Sequence, residues 1–411
     1  MLIQNARLVD ARGETRGDVL TENGRIAAVG PHLTAPAGCE AVDAAGLVLM
    51  PAFIDMHCHF RTPGFEYKED VRTGSRAAAH GGYTYVTCMA NTKPVCSSGE
   101  IAEGVMAAAR AAGLCEVNQC VSITRNFDGK TLSHLETLPD SVRCISEDGH
   151  GVQNNFVMWQ AMRIAREKGL LILSHAEDAD ISPVDYRLAE NIETARNILL
   201  AEYTGARLHL CHVSTAEAIA DVAAAKRRGA HVTCEVTPHH LWFADDACDY
   251  RVNPPIRTAA DVAALVQAVR AGTVDAIGTD HAPHSAQDKA AGAAGMVGLE
   301  TSFAVCHTKL CVREGLPLAL LSRLLSRGPA QILGLNKGLL APGFDADLVL
   351  ADTAAEWQVD PAQFQSKSRN TPFGGTRLSG LVKATVKAGR FTYTALEKGK
   401  ETYAEQHGQT L

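Results

Sequence analysis

The sequence has little that would mark a membrane-bound or nucleic-acid-binding protein. Aromatic residues make up only 5% of its 411 residues, and no apolar run approaches the roughly 18 residues that a membrane span requires. The net charge of −7 provides no general positive field for nucleic acid or anionic lipid. The first residues, MLIQNARLVD, lack the apolar core of a secretion signal, so we expect a cytoplasmic protein.

The cysteines give no sign of a disulfide framework or of a thiolate metal site. All twelve are scattered through apolar stretches such as VTCMA and VTCEV, and no two have CxxC spacing. We therefore expect reduced thiols in the core. With 46% hydrophobic and 21% charged residues, the chain is an ordinary globular sequence, and its length requires two domains or one large barrel with an appendage.

Short strand-like runs alternate with helix-like stretches through the middle of the chain. The eight runs cover residues 52–60, 84–91, 116–124, 142–149, 170–178, 207–214, 231–240 and 275–284. Alanine-rich stretches such as MWQAMRIAREKG lie between them, carry apolar residues at helical spacing and end at glycine. A strand and a helix repeated eight times predict an α/β fold of the (β/α)8 TIM-barrel type.

The two ends of the chain have a different pattern. Residues 1–50 and 341–411 contain short strand-like runs that are joined by Asn-Gly and Ala-Gly turns. We predict that both ends pair into one small β-sandwich domain beside the barrel. The barrel itself would then occupy residues 51–340.

Histidines and aspartates follow the apolar runs where several of the predicted strands end. In a barrel of this type the functional side chains gather at the C-terminal ends of the strands, so we expect these residues to meet. Neutral imidazoles and carboxylates suit Zn²⁺, and six ligands exceed what one tetrahedral ion uses, which favours two ions over one. The six candidate ligands are His57, His59, Asp148, His175, His212 and Asp280.

Strand alternation assigns these side chains to faces. In FIDMHCHFRTPG, residues 53–64, the histidines His57 and His59 share a face with Arg61, whose planar guanidinium suits a bidentate grip on a carboxylate. The same alternation predicts that His212 points into the barrel mouth and that His209 points outward. We further expect the TPHH segment, residues 237–240, to finish the seventh strand.

A set of local strings extends this pattern across nearly the whole chain. In order they are HCHFRTPG, GGYTYVTCMANTKP, SEDGHGV, HAED, CHVSTAEA, EVTPHHL, NPPIRT, TDHAPH and GMVGLETSF. These strings resemble the class I, bacterial-type dihydroorotases of the amidohydrolase superfamily. The resemblance implies a zinc-dependent enzyme that reversibly cyclises N-carbamoyl-L-aspartate to L-dihydroorotate and water in pyrimidine biosynthesis.

The resemblance also implies roles for individual residues. One zinc ion would be held by His57, His59, Asp148 and Asp280, and a second by Asp148, His175 and His212. The substrate would contact Arg61, Asn91, Asn253, His284 and the backbone near Gly298. A metal-bridging hydroxide would attack the ring amide, with Asp280 as general base and acid. We expect a homodimer or higher homo-oligomer, and a partnership with aspartate transcarbamoylase stays open.

Three features depart from the pattern and keep alternatives open. Thr62 stands where an acidic residue is usual, MPNT has become MANT at Ala90, and the loop at 178–190 is shorter by about twenty residues, which matters because loops shape such pockets. Hydantoinases, dihydropyrimidinases and allantoinases resemble this chain too, but they bridge their metals with a carboxylated lysine. Between Lys130 and Lys168 this chain has no lysine. A non-catalytic scaffold subunit is the remaining alternative.

Overall fold

Strands alternate with helices in the middle of the chain, and strands dominate its two ends, in the computed structural model, which describes residues 1–396 and 402–403. The strands are, in chain order, β1 Leu2–Asp10, β2 Gly13–Glu22, β3 Arg25–Gly30, β4 Ala41–Asp43, β5 Val48–Pro51, β6 Phe53–Cys58, β7 Tyr83–Cys88, β8 Glu116–Gln119, β9 Val121–Ser122, β10 Cys144–Ser146, β11 Leu171–Ser174, β12 Arg207–Leu210, β13 Val232–Val236, β14 Ala276–Ile277, β15 Leu348–Gln358, β16 Arg377–Lys387, β17 Arg390–Thr394 and β18 Thr402–Tyr403.

The helices lie mostly between the strands of the middle region. They are α1 Val71–His80, α2 Gly99–Ala112, α3 Asn155–Lys168, α4 Tyr186–Thr204, α5 Ala216–Arg227, α6 Pro238–Trp242, α7 Ala259–Arg270, α8 Ala286–Ala290, α9 Ser302–Cys306, α10 Leu318–Ser322 and α11 Gly328–Leu333. No helix in the described part of the chain combines the length and the apolarity that crossing a bilayer needs.

The strands from β6 to β14 form a closed parallel barrel. One sheet has the order β6-β7-β8, and a second sheet runs from β9 to β14 with sequential neighbours. Only Cys120 separates β8 from β9, and a parallel bridge between Cys58 and His281 joins β6 to the segment that follows β14. Each of the eight predicted runs contains a barrel strand, so the (β/α)8 prediction is confirmed.

Helix α3 illustrates how the sequence sets these helices. The side chain of Asn154 accepts hydrogen bonds from the first backbone N–H groups of the helix, and Gly169 ends it at φ 69°. The buried side chains Met158, Ala161 and Ala165 recur at helical spacing and pack toward the barrel. This helix contains the predicted segment MWQAMRIAREKG, apart from its final glycine.

The two ends of the chain form one sheet of nine strands in the described residues, with the order β18-β17-β16-β15-β5-β1-β2-β3 and with β4 beside β1. The sheet curls, because Arg25 in β3 makes an antiparallel bridge to Asp345 and Ile26 N–H donates to Phe344 O at 2.8 Å. It thereby surrounds an apolar core that includes Leu49 and Leu348. The predicted small β domain from both termini is confirmed, although hydrogen bonds join its strands into one curled sheet where we expected a sandwich.

The domain boundaries at residues 51 and 340 stay a prediction. Within the predicted second part, 341–411, residues 397–401 and 404–411 lie outside the described residues. All twelve cysteines are free, and nine of them are buried, as expected for core thiols.

The seventh strand ends earlier than predicted. Strand β13 stops at Val236, and the Thr237 side chain caps the short helix α6 by accepting a hydrogen bond from His240 N–H. The prediction that TPHH finishes this strand is therefore wrong. Thr237 followed by Pro238 is a helix start, because a hydroxyl caps the first turn and proline is favoured at its first position.

Candidate metal centre

Asp148 lies at the centre of the side chains that meet in the barrel mouth. It follows β10, and its Oδ1 atom is 3.2 Å from His57 Nε2, 3.6 Å from His175 Nδ1 and 4.0 Å from His212 Nε2. Burial alone would raise the pKa of Asp148, but the neighbouring histidines lower it well below its usual range. Asp148 is therefore an ionised acceptor that faces three imidazoles.

Asp280 follows β14 and meets the first pair of histidines. Its Oδ1 atom is 3.3 Å from His59 Nε2 and 3.6 Å from His57 Nε2. Burial would raise the pKa of Asp280, but His59 and His57 lower it below its ordinary value. The structure thus brings all six predicted ligands together, although they are spread over more than two hundred residues of sequence.

Outer hydrogen-bond partners orient three of the four histidines. His59 Nδ1 lies 2.9 Å from Asn91 Oδ1, and His175 Nε2 lies 2.7 Å from Glu177 Oε2. Behind the third ring, His57 Nδ1 is 3.3 Å from Glu235 Oε1. A partner that accepts the N–H on one side of an imidazole leaves the other nitrogen with a free lone pair. In each ring that other nitrogen faces the aspartates.

These residues fit a divalent metal. Among the described residues, the buried His57 Nε2 atom has no hydrogen-bond partner of good geometry. His175 Nδ1 and His212 Nε2, both directed at Asp148, lie only 2.9 Å apart. Ligand atoms converge closely in two groups, His57 with Asp148 and His212, and His57 with His59 and Asp280. Neutral imidazole nitrogens beside ionised carboxylates are the ligands that zinc prefers.

Left-handed backbone at three residues directs side chains into the mouth. Arg61, His212 and Asp280 have φ values of 58°, 36° and 46°. Residues other than glycine rarely adopt this region, and it interrupts the alternation of a strand. His212 consequently reaches the mouth although His209, three residues earlier, already points into the barrel.

The prediction that His209 points outward is wrong. Its ring is fully buried inside the barrel, with Nε2 3.3 Å from Glu235 Oε2 and Nδ1 2.9 Å from Thr233 Oγ1. Glu235 therefore lies between His209 and the candidate ligand His57. Burial would raise the pKa of Glu235, but the two histidines lower it to about 2. Gly278 makes room for this carboxyl, since a Cβ there would lie 2.4 Å from it.

A second buried carboxylate braces the backbone that carries Asp280. Asp55 in β6 accepts hydrogen bonds from Thr279 N at 3.0 Å and from Thr279 Oγ1 at 2.5 Å. These bonds tie the end of β14 to the first barrel strand. They hold Thr279, and with it the left-handed Asp280, in a fixed position.

A cavity of about 220 Å³ opens beside the candidate metal ligands. Its far wall carries Arg61, whose Nε donates to Pro283 O at 3.2 Å and whose guanidinium lies 3.3 Å from His284 Nε2. Lys68 Nζ lies 3.3 Å from the other ring nitrogen of His284. Burial and the two cations lower the pKa of His284 to about 3, so this ring is neutral near pH 7. This wall is suited to an anion.

The other predicted substrate residues are placed unequally. Asn91 and Asn253 line the cavity; Asn91 Nδ2 donates to Asp148 Oδ2 and Asn253 Nδ2 to Glu177 Oε2, at 2.9 and 2.7 Å. Gly298 is not part of the cavity wall, and its N–H donates to His281 Nδ1 at 3.1 Å. Gly295 lines the cavity instead.

Three residues near the site were missed from the sequence. Glu177 and Glu235 each contact a candidate ligand, and Lys68 stands behind His284. The signal for Glu235 was available, because a carboxylate inside the apolar run VTCEV must have a buried partner. Glu177 and Lys68 lie in loops, where no periodicity marks them.

The closed barrel with histidines and aspartates at its mouth defines a metal-dependent hydrolase class. The Amidohydrolase family model matches residues 48–392, so the chain belongs to the amidohydrolase family. Among curated proteins it is 48% identical to a dihydroorotase of Clostridium botulinum and 40% identical to one of Pelobacter propionicus; each comparison covers 96% of this chain and 99% of the relative. The dihydroorotases are thus the group within the family that this chain resembles over its full length.

Solved structures of related enzymes share the fold. An L-hydantoinase (dihydropyrimidinase) from Arthrobacter aurescens is 25% identical, with a TM-score of 0.89 over 98% of this chain and 97% of that one. A D-hydantoinase (dihydropyrimidinase) from Thermus sp. is 24% identical, with a TM-score of 0.86 over the same shares. At this identity the second likeness supports the fold alone.

Proposed function

We propose that this protein is a zinc-dependent dihydroorotase, which reversibly cyclises N-carbamoyl-L-aspartate to L-dihydroorotate and water in pyrimidine biosynthesis. The observation that carries the proposal is one cavity with two unlike walls. Asp148, Asp280 and their histidines form one wall, and Arg61 with His284 forms the other. A small cyclic amide that bears a carboxylate matches both walls at once.

We propose two zinc ions at the first wall. The ligands of one ion are His57, His59, Asp148 and Asp280, and those of the other are Asp148, His175 and His212. When bound, zinc supplies Lewis acidity, which polarises a carbonyl oxygen and lowers the pKa of water to about 7. Asn91, Glu177 and Glu235 hold the ligand rings in the tautomers that this binding needs.

Asp280 is the proton carrier. Because its pKa lies below the ordinary aspartate value, it is ionised near neutral pH and ready to accept a proton. In ring opening, water adds to the ring amide carbonyl, Asp280 takes a proton from that water, and the proton passes to the ring nitrogen as the C–N bond breaks. In ring closure, the ureido nitrogen loses its proton to Asp280 as it attacks the side-chain carboxyl carbon, and water leaves.

The second wall orients the substrate. The Arg61 guanidinium is buried and held by Pro283 O, so little freedom is lost when it binds the substrate carboxylate. Neutral His284 can add a hydrogen bond from its ring. The carboxylate would thereby fix which ring carbonyl faces Asp148 and Asp280.

Hydrolysis of a related cyclic amide is the second candidate, favoured by the fold shared with hydantoinases. Hydantoin and dihydrouracil lack a carboxylate on the ring, so they would leave Arg61 without a partner. The 48% identity to a dihydroorotase also supports the first candidate. A cytoplasmic location and a partnership with aspartate transcarbamoylase stay predictions.

The test is a parallel assay of the purified, zinc-loaded protein with dihydroorotate, hydantoin, dihydrouracil and allantoin. We expect ring opening of dihydroorotate, with kcat/KM at least about 100-fold above the other substrates, because only that substrate engages the buried guanidinium. The matched variant Arg61→Met should raise KM for dihydroorotate while metal content stays unchanged. Preference for an uncharged ring, or loss of zinc in Arg61→Met, would contradict the proposal.

A further inference from the structure

Exposed apolar side chains concentrate on one part of the surface. Of the nine large hydrophobic residues that are exposed in the described chain, seven lie at position 156 or between 184 and 203. Four of them stand on helix α4, namely Leu188, Ile192, Leu199 and Tyr203. Single exposed apolar residues are ordinary, but a contiguous group marks an interaction surface.

Helix α4 is inverted relative to an ordinary surface helix. Its buried face carries Glu190, Glu193 and Asn197, each at most 4% exposed. These groups have specific partners: Glu190 Oε2 accepts from Arg257 Nη2 at 2.8 Å, and Asn197 Nδ2 donates to Ser174 Oγ at 2.9 Å. Its outward face is apolar instead, with Leu199 53% and Tyr203 83% exposed. The polar residues are thus used inside, and the apolar residues await a cover.

The outward residues form a continuous stripe with the spacing of a helix-packing seam. Leu188, Ile192, Ala195, Leu199 and Tyr203 are separated by three or four residues, and all five are exposed. No charged side chain belongs to this stripe. The stripe extends about 22 Å, at 1.5 Å per residue.

The stripe is self-complementary in an antiparallel arrangement. Leu188 and Tyr203 lie equally far from the midpoint between Ala195 and Arg196, and so do Ile192 and Leu199. A second α4 related by a two-fold axis at that midpoint would therefore place large side chains against large ones around the small Ala195. Arg196 does not block the approach, because its guanidinium is tied back to Glu193 and to Val152 O, the latter at 2.7 Å.

Helix α3 widens this surface. Arg166 Nη1 donates to Thr204 O at 2.9 Å, which fixes α3 alongside α4. On α3, Phe156 is exposed and stacks on Trp159 with ring centroids 5.6 Å apart. Two adjoining helices give a patch about 22 Å long and about 20 Å wide. With its rim, this patch approaches the about 800 Å² per partner that a standard protein interface buries.

We propose that the outward face of α4, flanked by α3, is a homodimer interface in which two copies of this chain pack their α4 helices antiparallel about a two-fold axis near Ala195. The interface lies on the outer helix layer of the barrel. It is independent of the reaction that the enzyme catalyses.

Cysteine cross-linking tests the geometry directly. Helix axes about 8 Å apart would bring the two Ala195 Cα atoms to about 5 Å, within the range of a disulfide, whereas the two Leu188 residues would lie about 22 Å apart. Under mild oxidation, Ala195→Cys should form a covalent dimer that dithiothreitol reverses. Leu188→Cys, on the same face of the same helix, should not, and the wild type controls for the native cysteines.

Light scattering after size-exclusion chromatography tests the assembly. The wild type should contain two chains or a multiple of two, and Leu199→Glu should halve the mass while the circular dichroism spectrum is retained. Val312→Glu, at a similarly exposed apolar residue elsewhere, should leave the mass unchanged. A wild type with the mass of one chain, a Leu199→Glu variant of unchanged mass, or cross-linking of Leu188→Cys as efficient as that of Ala195→Cys would overturn the proposal.

Discussion

At the mouth of the barrel the buried side chains are histidines and carboxylates, whereas the curled sheet of the small domain buries leucine, isoleucine, valine and alanine. The two regions also differ in where the backbone is left-handed. In the small domain such residues stand in turns, for example Asn23 at φ 50° before Gly24. At the mouth they are Arg61, His212 and Asp280.

This difference separates a region built for chemistry from one built for stability. Asparagine adopts the left-handed conformation at low cost, so the turns of the small domain are relaxed. The mouth holds costlier residues in that conformation and concentrates buried polar groups, which the surrounding hydrogen bonds must stabilise. Substitutions should therefore affect activity and folding differently in the two regions.

The largest effect is expected at the mouth. Asp280→Asn removes the proton acceptor and one candidate ligand, so kcat for dihydroorotate hydrolysis should fall by about 10³-fold or more. The melting temperature should fall little, because an unfavourable buried charge is also removed. Steady-state kinetics, with the exposed Asp246→Asn as control, checks this. Wild-type activity in Asp280→Asn would show that the mouth is not the reacting region.

A smaller effect is expected one layer below the ligands. Glu235→Gln keeps the shape of the side chain but removes the charge that faces His57 Nδ1, so zinc affinity should fall by about 10- to 100-fold. Competition with a chromophoric chelator measures this without reference to activity. The exposed Glu167→Gln should bind zinc like the wild type. Unchanged affinity in Glu235→Gln would mean that His57 is oriented by other contacts.

The smallest effect on activity is expected in the small domain. Leu348 is fully buried in the core of the curled sheet, and Leu348→Ala should lower the free energy of unfolding by about 2 to 5 kcal/mol through the cavity that it leaves. The kcat of the folded protein should stay within about twofold of the wild type. Urea unfolding beside kinetics at low temperature separates these outcomes, with the exposed Val312→Ala as control. A large loss of kcat in folded Leu348→Ala would abolish the distinction between the two regions.

Much of the architecture could be read from periodicity. The eight apolar runs marked the eight barrel strands because parallel strands that are buried on both faces need continuous apolar sequence. The candidate ligands could be found because polar residues at the ends of such runs must lie at one face of the barrel. His209 was misassigned because alternation was extended through His212, where the left-handed backbone interrupts it.

The sequence by itself determined the barrel, the small domain from both termini and the six side chains that converge, since hydrophobic pattern and chain order are local properties. Only the tertiary structure decided what stands behind each ligand. Whether His57 faces Glu235, whether Asp55 braces Thr279 and which face of α4 is left uncovered depend on residues far apart in the chain. Such pairings are set by how the barrel closes, because contacts across a closed sheet have no fixed spacing in sequence.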